Sequence, residues 1–288
     1  MRTTRYDHFM RIKLDAPAKL NLHLEVLSRR ADGFHELETV FQALGLADDV
    51  DVEVRPGGSG ITLVCDDPGI PADCGNLAWR AAEIFCADDA VGSVGIHIVL
   101  TKRIPHGAGL GGGSSDAAAV LRALAQLLPT GRSLGELHAL AGALGSDVPF
   151  FLRGGIQLGH GRGELLEPLP ALPPCDVTVL MPEGVVLPTP AVFRALTDDE
   201  RGPRPARGGA WFRHAMEADG TLVALLHNRL TAPAVRLCPA VGGLLRWLEN
   251  QGVPHLMSGS GAACFALGHL DPPAGVRAWR THFRPAHG

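Results

Sequence analysis

The sequence predicts an α+β protein, with short strands and amphipathic helices sharing the chain. Three observations carry this. Ala18–Val26 alternates polar and apolar residues without a break, the pattern of a strand. Val94, Ile96, Ile98 and Leu100 repeat that alternation, enter a glycine-rich loop and emerge into helical spacing at Val120, Leu121, Leu124, Leu127 and Leu128. Helical spacing also governs 76–87, 133–144, 222–230 and 238–250.

Taken in order, the first strand sets Lys19, Asn21 and His23 on one face and Leu20, Leu22, Leu24 and Val26 on the other. Solvent exposure and function compete evenly to explain the polar face. A loop at Arg29–His35 leads to a second strand, Thr39–Leu46, and Val50–Val54 and Ile61–Cys65 read as two more around Pro56-Gly57-Gly58. Asn76 is placed to cap the helix that follows it. Two helices, Ser115–Leu128 and Ser133–Leu144, flank Pro129-Thr130-Gly131, and the second ends at Gly145-Ser146-Asp147-Val148-Pro149-Phe150. Asp147 therefore sits in a non-helical turn, where carboxylates serve as turn formers more often than as catalysts. Asp176–Met181 reads as a strand, and a short helix begins near Thr189. The Arg-, Gly- and Pro-rich stretch Asp198–Arg213 reads as an exposed excursion. Ser258-Gly259-Ser260-Gly261 is a small-residue turn between apolar strands, and the residues after Asp271 read as a last helix.

Composition narrows the function. The 288 residues allow two modest domains or one large one, and 46% hydrophobic with 19% charged residues describe a soluble globular chain. A net charge of −4 gives no basis for general nucleic-acid binding. No apolar run reaches the ~18 residues of a membrane span, and the N-terminal stretch lacks the apolar centre of a signal peptide. A cytoplasmic location without membrane partners is expected. Six cysteines without CxxC spacing point to buried free thiols, not to disulfides or zinc. Only three of the 26 basic residues are lysines, Lys13, Lys19 and Lys102, so a lysine in a suggestive place carries weight.

The loop Pro105-His106-Gly107-Ala108-Gly109-Leu110-Gly111-Gly112-Gly113-Ser114-Ser115 holds five glycines in seven positions. Such a backbone can turn its N–H groups toward one anion, and the helix start behind it adds unpaired donors and partial positive charge. A phosphate cradle explains it better than a linker. It is not a Walker loop, because Gly113 and not lysine precedes Ser114. The letters of a dinucleotide fingerprint are present, but no second strand with an acidic ribose ligand follows. Ser114 and Ser115 can cap the helix, touch a phosphate or reach a metal.

Three separated motifs resemble the GHMP small-molecule kinases: the Pro105–Ala118 loop, Pro17-Ala18-Lys19-Leu20-Asn21-Leu22, and the turn running into Ala262-Ala263-Cys264. Within that superfamily, Pro17–Leu24, Arg30–Leu44 and Leu144–Gly154 resemble the branch acting on 4-diphosphocytidyl-2-C-methyl-D-erythritol. The resemblance implies a GHMP kinase fold, with a ribosomal-S5-like N-terminal ATP-binding domain over 1–160 and a ferredoxin-like C-terminal domain over 161–288. It implies ATP and Mg²⁺, the ion held through the ATP phosphates with Ser114 or Ser115 as protein contact, and transfer of the γ-phosphoryl to the 2-hydroxyl of the erythritol. Lys19 and Asp147 match the catalytic pair: Asp147 would take or orient the hydroxyl proton, and Lys19 would set an opposite charge beside it. Phe34 and His35 match the base-binding pair, with phenylalanine where the family usually has tyrosine. Asn21, Thr189, Phe193, Gly259, Ser260 and Gly261 match further substrate positions. A homoserine- or mevalonate-type kinase is the alternative, opposed by Arg30–Leu44. An inactive nucleotide-sensing homologue is opposed by retention of Lys19 and Asp147.

Overall fold

Two long strands organise the chain, β1 (Met10–Arg29) and β2 (His35–Pro56). The computed structural model describes residues 9–87, 91–202, 207–218 and 222–287. Their contacts divide into two compact units, and each long strand contributes to both. The first takes residues up to Pro17, Ala47–Ile104 and Gly112–Arg153; the second takes Ala18–Leu46, Pro105–Gly111 and the chain from Gly154 on.

In the first unit come β3 (Ile61–Cys65), α1 (Leu77–Cys86), β4 (Val94–Thr101), α2 (Gly112–Leu127), α3 (Leu134–Leu144) and α4 (Val148–Arg153). β2 pairs antiparallel with β4 from Asp49–Thr101 to Pro56–Val94, and β3 lies parallel to β4. The helix between β3 and β4 is what a parallel crossover requires. The Asn76 side chain accepts from the Ala78 N–H at 2.9 Å, the expected cap of α1. Ala117 and Ala118 are fully buried; their small side chains let α1 and α4 pack closely on α2. Phe85, Phe150 and Phe151 complete this core.

In the second unit come β5 (Ile156–Gly161), β6 (Leu165–Pro168), β7 (Asp176–Pro182), α5 (Thr189–Arg194), α6 (Gly208–Ala218), β8 (His227–Asn228), α7 (Thr231–Leu237), α8 (Pro239–Asn250), β9 (His255–Met257), β10 (Cys264–Leu267) and β11 (Val276–His282). β2 pairs antiparallel with β5, and β5 with β6; β1 pairs in parallel with β8 at His23–His227 and Leu24–Asn228. A separate antiparallel sheet has the order β11-β7-β10-β9, and α8 packs against it.

Several expectations are corrected. Thr39–Leu46 and Val50–Val54 belong to one strand, β2. The polar face of β1 is not solvated: Lys19, Asn21, His23 and Glu25 are all buried. Leu222–Leu230 is a short 3₁₀ turn (Leu222–Leu225) followed by β8, not one helix. The stretch after Asp271 is strand β11, paired with β7 from Val276–Pro182 to His282–Asp176; its Val, Trp and Thr suit a half-buried edge. The excursion is more ordered than expected at both ends. Asp198–Glu200 is a 3₁₀ turn, and α6 starts at Gly208, with Pro203–Ala206 outside the described residues. Buried Glu38 accepts from the Arg207 and Gly208 N–H groups at 3.1 and 2.8 Å, satisfying donors that a helix start leaves open. Phe212 of α6 is fully buried with its ring edge-on to His23, centroids 4.9 Å apart. The six cysteines are unpaired, and only Cys264 is buried while Cys74 is exposed, which corrects the expectation of buried thiols. No helix among the described residues is long and apolar enough to cross a membrane.

Candidate active site

Four polar residues on β1 and β2 form one hydrogen-bonded line in the second unit. Lys19 Nζ donates to Asn21 Oδ1 at 2.7 Å, Asn21 Nδ2 to Thr39 Oγ1 at 2.7 Å, and Thr39 Oγ1 to the His23 carbonyl at 2.7 Å. Lys19 is only 4% exposed. A buried polar side chain is tolerated where hydrogen bonds replace water; the line satisfies Asn21 and Thr39 and gives the Lys19 ammonium one neutral acceptor, with the Phe41 ring 5.5 Å from Nζ. The period-two register that aligns them is the one visible in the sequence.

The glycine loop comes up against that line. Lys19 N–H donates to the Leu110 carbonyl at 3.0 Å. Gly107, Gly109 and Gly111 take φ of +67°, +74° and +75°; the residues between them, Ala108 and Leu110, are buried and tether the loop. Across from it lies the Ser258–Gly261 turn. A Cβ on Gly109 would stand 2.7 Å from the Ser258 carbonyl oxygen, and one on Gly259 would stand 3.4 Å from Lys19 Nζ and 3.1 Å from the Gly109 carbonyl. Two backbones meet here at a distance only glycine permits. Gly109→Ala is expected to displace the loop and lower the melting temperature, because a left-handed φ and a 2.7 Å backbone contact both oppose a Cβ. Gly142→Ala, in α3 with open space around it, should leave the melting temperature unchanged; equal losses in both would show that the close approach does not hold the loop.

Asn228 holds the second turn in place, donating through Nδ2 to the carbonyls of Met257 at 2.7 Å and Gly259 at 2.8 Å. Thr189 Oγ1 and Ser260 Oγ are 2.7 Å apart, joining the start of α5 to that turn. His35 stacks on Phe193 of α5 with centroids 5.1 Å apart and planes at 26°. Burial, then the charges of Arg201 and Arg29, push His35 below the ordinary histidine range. It is therefore neutral near pH 7, with one donor and one acceptor nitrogen. Phe34 is 53% exposed at the tip of its turn.

The remaining residues lie in the first unit. Gly112 and Gly113 open α2, with Ser114 and Ser115 in its first turn. Ser115 Oγ is buried without a hydrogen-bond partner. Asp147 stands in the turn between α3 and α4, half-buried, with the buried run Val148–Leu152 anchoring it. Beside α2 lies a charged cluster that the sequence did not single out. Lys102 Nζ bridges Asp48 and Asp116, the latter at 2.5 Å, and all three side chains are buried. Asp48 Oδ1 also accepts from the Arg103 and Ile104 N–H groups at 2.5 and 2.8 Å, pinning the chain as it enters the glycine loop. Burial, with Asp48 adding to it and Lys102 opposing, pushes Asp116 up to about 7. Lys102 was visible as one of three lysines, but its two acids lie 54 and 14 positions away, separations no local pattern reveals.

Residues 76–155 match the GHMP kinases N terminal domain and residues 207–284 the GHMP kinases C terminal family. A 4-diphosphocytidyl-2-C-methyl-D-erythritol kinase of Thermus thermophilus is 44% identical over 280 residues, 92% of each chain. The chain belongs to the GHMP kinases. A second relative within this family, from Synechococcus sp. (strain JA-3-3Ab), carries the same name and is 40% identical over 94% of this chain and 90% of its own. A crystal structure of 4-(cytidine 5'-diphospho)-2C-methyl-D-erythritol kinase superposes with a TM-score of 0.76 at 41% identity, covering 94% of this chain and 99% of that one. This GHMP kinase thus shares fold and length with its diphosphocytidyl-methylerythritol branch.

Proposed function

We propose that this chain transfers the γ-phosphoryl group of ATP to the 2-hydroxyl of 4-diphosphocytidyl-2-C-methyl-D-erythritol, a step of non-mevalonate isoprenoid biosynthesis, in the cytoplasm. The observation that carries the reading is the likeness to this branch over nearly the whole chain. The convergence of Lys19, Asn21, Gly109 and Gly259 in the second unit supports it. The domain boundary near residue 160 belongs to the same reading.

Phosphoryl transfer asks a protein for positioning and charge neutralisation more than for covalent chemistry. The N–H groups of Gly107–Gly113 and of the first turn of α2 hold the ATP phosphates. Mg²⁺ fits this residue set only in a limited way. No three His, Cys, Asp or Glu converge on a metal among the described residues; the ion would be held through the ATP phosphates, with the unpartnered Ser115 hydroxyl or that of Ser114 as protein contact. It would supply neutralisation of phosphate charge there. Asp147 accepts or orients the proton of the attacking hydroxyl. Lys19, oriented by Asn21, steadies that oxygen as it gains charge. Thr189 and Ser260 face the erythritol end. Phe34 offers its face to the base, and neutral His35, backed by Phe193, hydrogen-bonds the base edge.

The test is ADP release with this acceptor, mevalonate and homoserine in parallel. Turnover confined to the diphosphocytidyl acceptor is expected, and preference for either other alcohol would overturn the reading. His35→Ala should raise KM for the diphosphocytidyl acceptor about 10-fold with KM for ATP unchanged. Parallel losses for both substrates would indicate a folding defect instead.

A further inference from the structure

The base-binding aromatic of the proposed site has an unusual setting. Phe34 sits at the end of a tight turn in which the Arg30 N–H donates to the Phe34 carbonyl at 2.8 Å. More than half of its surface is exposed, so burial alone does not fix its ring. Something else must hold it flat if it is to serve as a stacking platform, because a mobile ring loses side-chain entropy on binding each ligand.

A second turn supplies the hold. Gly161 pairs with Leu37 in the β5–β2 ladder, which carries the turn Gly161–Glu164 to the side of Phe34. The Arg162 guanidinium lies 5.0 Å from the centroid of the Phe34 ring, a cation over an aromatic face. Arg162 is itself held: its N–H donates to Glu164 Oε2 at 2.6 Å, and Glu164 lies 3.4 Å from its Nε. The two turns are also joined through acid. Glu36 accepts from Arg30 at 2.6 Å and from the Gly161 N–H at 3.1 Å. Asp32 accepts from the Phe34 N–H at 3.1 Å and from Arg30 at 3.1 Å. Gly161 has a φ of +71°, and a Cβ there would meet the Glu164 carboxylate at 3.0 Å. The whole device is built from short-range contacts within one unit.

We infer that Arg162 is a positioning residue for acceptor recognition: it fixes one face of Phe34 so that the other is presented flat to a pyrimidine. The inference rests on the proposed function for the identity of the base, and on the geometry above for the residue. The absent tyrosine hydroxyl sharpens it, since phenylalanine has no polar handle by which the turn could orient its ring. A guanidinium does so through the ring face, and does so better than a compact ammonium.

The experiment measures KM for 4-diphosphocytidyl-2-C-methyl-D-erythritol, KM for ATP, and kcat, in the full chain. Arg162→Met keeps the length of the side chain and removes the cation. It should raise KM for the acceptor about 2- to 5-fold, leaving kcat and KM for ATP at parent values. Arg162→Lys should recover part of the loss. In a Phe34→Leu background, Arg162→Met should add nothing further, because there is no ring left to hold. An unchanged acceptor KM, a joint rise for both substrates, or the same increment in the Phe34→Leu background would each overturn the inference. So would a fall in KM, which would mean that the guanidinium occupies the place of the base. A parent enzyme without activity on this acceptor would overturn both the inference and the reading beneath it. A parent with that activity and an indifferent Arg162 would overturn the inference alone.

Discussion

Asp147→Asn is expected to fold, to bind ATP with near-parent affinity, and to lose phosphoryl transfer by about 10²- to 10⁴-fold in kcat. The substitution keeps the shape of the side chain in the turn between α3 and α4, and the buried Val148–Leu152 run that anchors the turn is untouched. On the proposed function, what it removes is an acceptor for the hydroxyl proton. An amide can still orient a hydroxyl but cannot take its proton, so the size of the loss also measures how much of the role is orientation. Single-turnover kinetics with saturating ATP and acceptor separate the chemical step from binding. Turnover at the parent rate would remove Asp147 from the mechanism. A lower melting temperature with parallel loss of ATP binding would assign it to folding.

Lys102→Met should have the largest effect on stability, about 3–5 kcal/mol at pH 8. Lys102 stands between two buried carboxylates, and without it Asp48 and Asp116 face one another uncompensated. Burial works against the ammonium, but Asp116 and Asp48 together hold Lys102 above the ordinary lysine range. The pH dependence follows from Asp116, raised from 3.8 to about 7 in the folded chain. A carboxylic acid that binds its proton more tightly when folded contributes stability that is present below about pH 4 and lost as pH rises through 7. The deficit of Lys102→Met should accordingly be greatest at pH 8 and shrink toward pH 5, where a protonated Asp116 no longer needs the cation. Asp116→Asn should flatten the parent's decline between pH 5 and 8. Urea midpoints at the two pH values decide it, and a deficit independent of pH would sink the argument. Because Asp48 also accepts from the Arg103 and Ile104 amides, the same variant should loosen the entry to the glycine loop and raise KM for ATP.

Legibility in the sequence followed the range of the interactions. The α-helices Leu77–Cys86, Gly112–Leu127 and Leu134–Leu144 were readable because periodicity and caps are local, as with Asn76 and with Ser133, whose side chain and that of Glu136 complete a capping box. The last strand does not read as one in the sequence, because Val276–His282 lacks strict alternation and is made a strand by its pairing with β7. The stretch Asp198–Arg213 looked solvated because its composition is polar; Glu38 and His23, more than 160 positions earlier in the chain, meet its far end. No window along the sequence contains those partners.

By itself the sequence determined the parts list: a glycine loop suited to phosphate, a lysine and an asparagine in strand register, an acid in a turn, and an aromatic-histidine pair. Glycine content, period-two alternation and turn residues are one-dimensional signals, and they survive without a fold. Only the tertiary structure decided which of these groups touch. It buried the Lys19 face that the pattern left open to water, where Asn21 accepts from the ammonium and Thr39 continues the hydrogen-bonded line. It also joined Lys102 to two distant acids, and Arg162 to Phe34 through the β2–β5 ladder. Burial and charge pairing depend on proximity in space, and proximity is what folding adds to the chain.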